Sequence, residues 1–123
     1  MITGVQDVYY NVSDMGRALA FYRDVLGLAV TDDDPYFTAL TAGGMRLGLH
    51  WTGGGAVPEI PHDAHGPHAG GTLTFRVADA GAAAKRLREH GVEVLSHTSQ
   101  SWGTIVVFKD PDGNILKLMQ PPG

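Results

Sequence analysis

Residues 12–28 read VSDMGRALAFYRDVLGL, and this stretch decides the fold. Ser13 and Asp14 are residue types that cap helices, and apolar side chains then recur at helical spacing as far as Leu26. Gly27 is placed to end the helix. Before the cap, residues 8–12 alternate in the manner of a β-strand. The stretch therefore predicts a strand, a cap and a helix that ends at a glycine.

A second copy of this pattern lies between Thr72 and Gly91, where strand, cap, helix and glycine follow in the same order. The candidate cap Asp79 lies 65 residues after Asp14, and Gly91 lies 64 residues after Gly27. Self-similarity at a fixed offset is the sequence signature of a repeat. The chain is therefore predicted to be an internal duplication.

Three short β-like stretches follow each predicted helix, at residues 28–31, 36–41 and 46–51 and again at 92–96, 104–109 and 115–119. Each half is thus β-α-β-β-β, which makes the fold class α+β. The 123 residues fit one domain, with module one at 5–51, a connecting loop at 52–71 and module two at 72–120.

The predicted connecting loop is rich in Gly, Pro and His, which favours loop over regular structure. A loop of this length usually has a use, such as covering a ligand or contacting a second subunit. It holds His62, His65 and His68 at spacings of three, interrupted by Pro and Gly. Solvated loop histidines, adventitious transition-metal binding and a functional site are the three interpretations.

Composition and net charge argue against several classes of partner and of metal site. The net charge of -4 argues against the basic surface that nucleic acid requires, so no nucleic acid partner is expected. No run approaches the roughly 20 apolar residues of a membrane span, so no membrane partner is expected either. Without cysteine, any metal would need nitrogen or oxygen ligands. The expected location is the cytoplasm.

Two motifs carry a family resemblance. Residues 21–28, FYRDVLGL, and residues 109–116, KDPDGNIL, resemble the first helix and the closing hairpin of the vicinal oxygen chelate superfamily of glyoxalases, bleomycin-resistance proteins and extradiol dioxygenases. The resemblance implies two tandem βαβββ modules that form a curved mixed sheet around a cavity, with the helices outside. It also implies a homodimer, since short two-module chains of this superfamily pair.

In the metal-dependent members of this superfamily, four cavity-facing positions carry His, Gln or Glu. The resemblance places these positions at Asp7, Gly48, Thr72 and Lys117. Glycine supplies no donor atom, a threonine hydroxyl is a poor ligand, and an ammonium repels a cation. The chain is therefore expected to hold no metal and no other cofactor, in the character of the metal-free bleomycin-resistance-like members.

Two of these residues leave alternatives open. Asp7 and Lys117 either pair with each other across the cavity mouth or contact a polar ligand. A slip of the alignment would instead bring His50 beside Asp7 as a site of two protein ligands with waters. Catalytic metals usually have three or more protein ligands, which disfavours that site.

Without a metal, the cavity is predicted to be a pocket for a polar-aromatic small molecule. Strand alternation separates helix-facing from cavity-facing side chains, and Trp51 falls on the helix side. Trp102 resembles a cavity-rim tryptophan of the bleomycin-resistance group. The predicted ligand-binding residues are Asp7, Tyr9, Asn11, His50, Thr72, Thr74, Arg76, Trp102, Lys117 and Met119.

The leading hypothesis is a metal-free small-molecule-binding protein that sequesters an antibiotic or another polar-aromatic compound. The alternative is an enzyme, either a metal-dependent lyase or dioxygenase with atypical ligands or a metal-free catalyst that uses His50 or Asp7 as a base. A purely structural subunit is a third interpretation. No nucleophile motif or phosphate-binding loop is present in the sequence, and no catalytic residue is assigned.

Overall fold

A computed structural model describes all residues from 1 to 123. The chain divides into two compact units, Met1–Val57 and Pro58–Gly123. Each unit contains one helical segment and one four-stranded mixed sheet, which confirms the predicted α+β class. Residues 58–71, predicted as part of the connecting loop, belong to the second unit.

The sheet of the first unit has the strand order β1-β4-β3-β2. Strand β1 pairs with β4 in parallel, and the other two pairings are antiparallel. A β-bulge between Val30 and Asp32 shifts the register of β2 on β3. The strands are β1 (Val8–Val12), β2 (Ala29–Asp32), β3 (Phe37–Ala42) and β4 (Met45–Trp51).

The first helix begins as predicted, because the Asp14 carboxylate accepts a hydrogen bond from the Arg17 amide at 3.0 Å. It is regular only over Met15–Leu19 (α1), and Ala20–Val25 form a π-helical segment. The predicted uniform helix over 15–26 is therefore wrong in its second half. Gly27, at φ 78°, follows the last turn in the left-handed conformation that ends many helices.

The second unit repeats this plan with the strand order β7-β10-β9-β8. Strand β7 pairs with β10 in parallel, and a bulge between Val94 and Ser96 shifts the register of β8 on β9. Asp79 caps the helix through a 2.9 Å bond from the Ala82 amide. The elements are β7 (Leu73–Arg76), α2 (Ala80–Glu89), β8 (Val94–Gln100), β9 (Gly103–Lys109) and β10 (Ile115–Gln120).

The second unit also contains a short hairpin, β5 (His62–Asp63) with β6 (Gly66–Pro67). The expectation that residues 52–71 lack regular structure is therefore wrong for this part. Asp63 accepts a hydrogen bond from the His65 amide at 2.8 Å, and Gly66 has a φ of 99°. A short polar side chain that bonds to backbone two residues on and a glycine at positive φ together make a tight turn.

Each unit has its own core between one sheet face and its helix. Strand alternation places Tyr10, Val12 and Leu118 on this face. Val12 and Leu118 are buried, whereas Val8 opens an edge strand and remains 36% exposed. The buried core side chains include Val12, Tyr22, Leu40, Leu47 and Leu49 in the first unit and Leu87, Val106, Phe108, Leu116 and Leu118 in the second.

Candidate functional site

The face of the first sheet that is turned away from its helix carries three of the predicted site residues. Strand β1 places Tyr9 opposite Gly48 of β4 and Asn11 opposite His50. On the other side of β4, Phe37 of β3 lies opposite His50. Since directly opposed residues share a face of the sheet, these side chains project together.

Tyr9, Phe37 and His50 form an aromatic cluster on this face. The ring centroids of Tyr9 and Phe37 lie 5.8 Å apart in an edge-on arrangement, and those of Tyr9 and His50 are also 5.8 Å apart. The Phe37 and His50 centroids are 6.5 Å apart. Tyr9 remains 53% exposed, so the cluster offers a ring surface to a ligand.

A polar contact orients His50 within the aromatic cluster. His50 Nδ1 lies 3.0 Å from the Asn11 side-chain oxygen. An amide oxygen only accepts hydrogen bonds, so His50 Nδ1 carries the proton and donates in this arrangement. A neutral His50 then presents Nε2 as an acceptor. The cluster thus combines ring faces with a fixed hydrogen-bonding group.

Gly48 explains how the Phe37 ring fits onto the sheet. A Cβ added at Gly48 would overlap the ring, and even the farthest of three contacted ring carbons would lie only 3.0 Å away. The ring therefore occupies the space that any side chain at position 48 would need. Phe37 was missed by the sequence prediction, although a glycine inside a strand is itself a signal of close approach.

The corresponding face of the second sheet carries four predicted site residues. The parallel pairing of β7 with β10 places Thr74 opposite Lys117 and Arg76 opposite Met119. A concavity of about 380 Å³ is lined by Thr74, Phe75, Arg76, Met119 and Pro121. This face is cationic and carries no aromatic ring among the four.

The other three predicted site residues lie at the margins of the strands. Asp7 is half-buried and precedes β1, and Thr72 is exposed and precedes β7. Trp102 lies in the turn between β8 and β9 and is 55% exposed. Trp51 packs on the helix side as predicted, where its indole nitrogen donates to the Ser13 carbonyl at 3.1 Å.

The β5–β6 hairpin forms a further concavity, of about 470 Å³, with Leu95 and Ser96 of β8. His68 Nε2 lies 2.9 Å from the Asp63 carboxylate. This hydrogen bond, followed by the one from the His65 amide, holds the pKa of Asp63 below its ordinary value. The Asp63 carboxylate thus contacts the side chain of His68 and the backbone amide of His65.

The donors at the four positions implied by the resemblance do not fit a divalent metal. Gly48 is covered by the Phe37 ring, and Lys117 brings a positive charge. A threonine hydroxyl and a single carboxylate, Thr72 and Asp7, do not make up a ligand set. No group of three or more His, Asp or Glu side chains is arranged to hold a metal ion.

Comparison with known proteins identifies the family. The sequence profile of the Glyoxalase/Bleomycin resistance protein/Dioxygenase superfamily matches residues 4–118. Metallothiol transferase FosB from Shouchella clausii is 26% identical over 125 residues, which cover 96% of this chain and 80% of FosB. No helix of the chain is long and apolar enough to cross a membrane.

Solved structures share the fold over nearly the whole chain. A glyoxalase/dioxygenase from Nostoc punctiforme superposes with a TM-score of 0.81 at 21% identity, covering 98% of this chain and 92% of that one. TnmS3, an antibiotic binding protein from Streptomyces sp. CB03234, gives a TM-score of 0.68 at 26% identity and covers 98% and 99%. The chain therefore belongs to the Glyoxalase/Bleomycin resistance protein/Dioxygenase superfamily, as its two motifs and its duplication indicate.

Proposed function

We propose that this protein is a metal-free small-molecule-binding protein that sequesters a polar-aromatic compound, with an antibiotic as the leading class. The observation that carries the proposal is the Phe37 ring on Gly48. The ring occupies the space at a position where the resemblance implies a metal-ligating side chain, and it is part of the aromatic cluster of Tyr9, Phe37 and His50. Ring surface with a few fixed polar groups is the usual lining of a small-molecule site.

The ten predicted ligand-binding residues remain part of this proposal. Tyr9, Asn11 and His50 supply stacking and hydrogen bonding from the first sheet, and Phe37 joins them. The antibiotic binding described for TnmS3 supports a ligand of the same class. Asp7, Thr72 and Trp102 are proposed as contacts at the margins of the strands.

The test combines metal analysis with a ligand screen on protein purified without an affinity tag. The expected result is less than stoichiometric metal after dialysis and a thermal shift with planar polar-aromatic probes such as naphthoquinones. A ligand at about 100 times its Kd stabilises by roughly 2.7 kcal/mol. Phe37→Ala should reduce the shift, and Tyr36→Ala, an exposed ring outside the cluster, should not. Stoichiometric metal that survives dialysis would contradict the proposal.

The second candidate is a metal-dependent transferase, lyase or dioxygenase with atypical ligands. The similarity to metallothiol transferase FosB favours it. Metal that survives dialysis and is lost in Asp7→Ala would support this candidate, with Asp7 as an oxygen ligand. His50 does not lie beside Asp7, because it pairs with Asn11, four residues further along the chain.

We also propose that the protein acts as a homodimer in the cytoplasm. Each sheet has two edge strands whose backbone groups can pair, and Ile2 and Val5 are exposed apolar residues close to β1. Light scattering coupled to size-exclusion chromatography should give twice the chain mass of 13.1 kDa. A mass of one chain at micromolar concentration would contradict the dimer.

A further inference from the structure

Two cationic side chains on the second sheet lack acidic partners. Arg76 and Lys117 project from neighbouring strands on the face turned away from α2, and neither forms a salt bridge or side-chain hydrogen bond within the second unit. Lys117 is half-buried. Partly buried charges are normally paired, so an unpaired ammonium here indicates a missing counter-charge.

Two other cations of this unit, Lys85 and Lys109, have acidic partners. Lys85 lies 3.9 Å from Glu89 along α2, and Lys109 Nζ lies 3.5 Å from Glu93. The chain as a whole carries four more acidic than basic residues, so carboxylates are in excess. The absence of a carboxylate beside both Arg76 and Lys117 is therefore not explained by a shortage of acidic residues.

The pairing register brings hydrogen-bond donors of three kinds together. Lys117 lies directly opposite Thr74, and Arg76 lies two residues further along the same strand. From strand spacing and rise, the Cα atoms of Lys117 and Arg76 are about 8 Å apart, within reach of one ligand group for two long side chains. A concavity of about 380 Å³, lined by Thr74, Phe75, Arg76, Met119 and Pro121, adjoins Arg76 and leaves room for such a group beside Lys117.

We propose that this face binds an anionic group of the ligand, a carboxylate or a phosphorus or sulfur oxyanion. Lys117 and Arg76 supply the charge, Thr74 donates a hydroxyl hydrogen bond, and Met119 contacts the adjoining carbon skeleton. An arginine fork and a lysine point charge together are the usual partners of oxyanions.

This inference rests on the proposed function, and its test separates the two. The probes are phenylphosphonate, inorganic phosphate and neutral phenol, titrated into ¹⁵N-labelled protein at low ionic strength. Phenylphosphonate should shift the amide signals of Thr74, Arg76 and Lys117, and added salt should weaken its binding. If inorganic phosphate binds equally well, the anion is a free oxyanion rather than the head group of an organic ligand.

Charge-removing variants locate the site. Lys117→Gln and Arg76→Gln should each weaken phenylphosphonate binding about tenfold or more, because each removes a charge-assisted hydrogen bond. Lys117→Arg should retain phenylphosphonate binding, because it keeps the positive charge. Arg88→Gln is the matched control, since Arg88 is exposed on α2 and its loss changes the net charge equally. Circular dichroism of each variant verifies the fold.

Three outcomes would overturn the inference. Wild-type affinity in Lys117→Gln, or equal weakening in Arg88→Gln, would show that no specific anion site exists on this face. Binding of phenol without either anion would reject the anion site and leave the binding function standing. Binding of no probe, together with stoichiometric metal in the purified protein, would reject both.

Discussion

The two units share a backbone plan and differ in what they place on it. Strand order, the parallel first pairing and the bulges between Val30 and Asp32 and between Val94 and Ser96 all correspond. The exposed sheet faces have diverged instead. A duplicated chain keeps the face that packs under its helix, since core packing penalises change, and is free to vary the other.

One pair of equivalent positions shows the divergence at its sharpest. Gly48 pairs with Ala39 in the first sheet, and Lys117 pairs with Val107 in the second. In the first unit the Phe37 ring fills the space above the glycine, whereas in the second a long cationic side chain fills it. One sheet therefore offers an aromatic surface and the other a charged one.

The first helical segment is one residue longer than the second, and the structure shows which part of the helix accommodates the extra residue. The cap Asp14 and the terminal Gly27 are separated by one more residue than Asp79 and Gly91. The second segment is regular α-helix, and the first contains the π-helical segment Ala20–Val25. A π-turn has one more residue than an α-turn, so it absorbs an inserted residue without moving either end of the helix.

The largest expected effect comes from the core that each unit forms under its own helical segment. Phe21→Ala should destabilise the protein by about 3–5 kcal/mol, and Leu87→Ala, on the second helix, by about 2–5 kcal/mol. Phe21 is 5% exposed and packs edge-on against Tyr22 at 5.0 Å. Urea denaturation measures both, with Arg88→Ala, at an exposed position of α2, as the control. If Phe21→Ala has the same free energy of unfolding as the wild type, the π-helical segment does not anchor the first core.

The next effect concerns the two turns that join equivalent strands. Asp110 accepts bonds from the Asp112 amide at 2.9 Å and from both the amide and the side chain of Asn114 at 2.8 Å. Asp110→Ala should therefore cost about 2–3 kcal/mol. The turn of the first unit uses Gly43 at φ 55°, so Gly43→Ala should cost about 1 kcal/mol. If Asp110→Ala and Gly43→Ala lower the free energy of unfolding equally, the hydrogen bonds of the Asp110 carboxylate add no stability beyond that of the turn backbone.

Sequence reasoning predicted the features that depend on local pattern. The caps Asp14 and Asp79, the glycine ends of the helices and the duplicated β-α-β-β-β succession follow from residue type and spacing, and the structure confirms them. The π-helical segment escaped prediction because the same apolar spacing fits an α-helix. The one-residue change of offset was its only trace in the sequence.

The sequence predicted on which side of its strand a candidate site residue lies, but not which side chains contact each other. Alternation predicted that Tyr9, His50, Thr74 and Lys117 lie on the cavity-facing sides of their strands, and the strand register groups them by sheet. The Phe37 ring on Gly48 required the cross-strand register, which is set by the β3–β4 pairing and not by the pattern of either strand alone. The β5–β6 hairpin likewise depends on one carboxylate within a segment of low regularity.

A smaller effect tests the divergence of the faces directly. Gly48→Ala should destabilise by about 1–3 kcal/mol because the new Cβ displaces the Phe37 ring. Adding Phe37→Ala should recover part of this cost, since the clash is then removed. Lys117→Ala at the equivalent position should change stability by less than about 0.5 kcal/mol. Thermal denaturation of these three variants reveals whether only the first face is tightly packed.

The smallest effect belongs to the β5–β6 hairpin, which the first unit lacks. The hydrogen bond from His68, and then the His65 amide, lowers the pKa of Asp63, so the folded hairpin favours the carboxylate. The stability that this contact contributes is present above the ordinary aspartate pKa of about 3.9 and is lost as the pH falls through the lower folded value. Because both side chains are more than half exposed, the contribution is small.

Carbonyl ¹³C NMR of Asp63 measures this pKa directly as the pH is lowered. In the native protein Asp63 should titrate below about 3.9, and His68→Ala should move its pKa back toward that value. His62→Ala is the matched control, since His62 is the weakest of the groups that lower this pKa and its loss should change it least. If His62→Ala and His68→Ala shift the pKa equally, the cause is the general positive charge of the hairpin. If His68→Ala alone shifts it, the 2.9 Å contact is formed in solution.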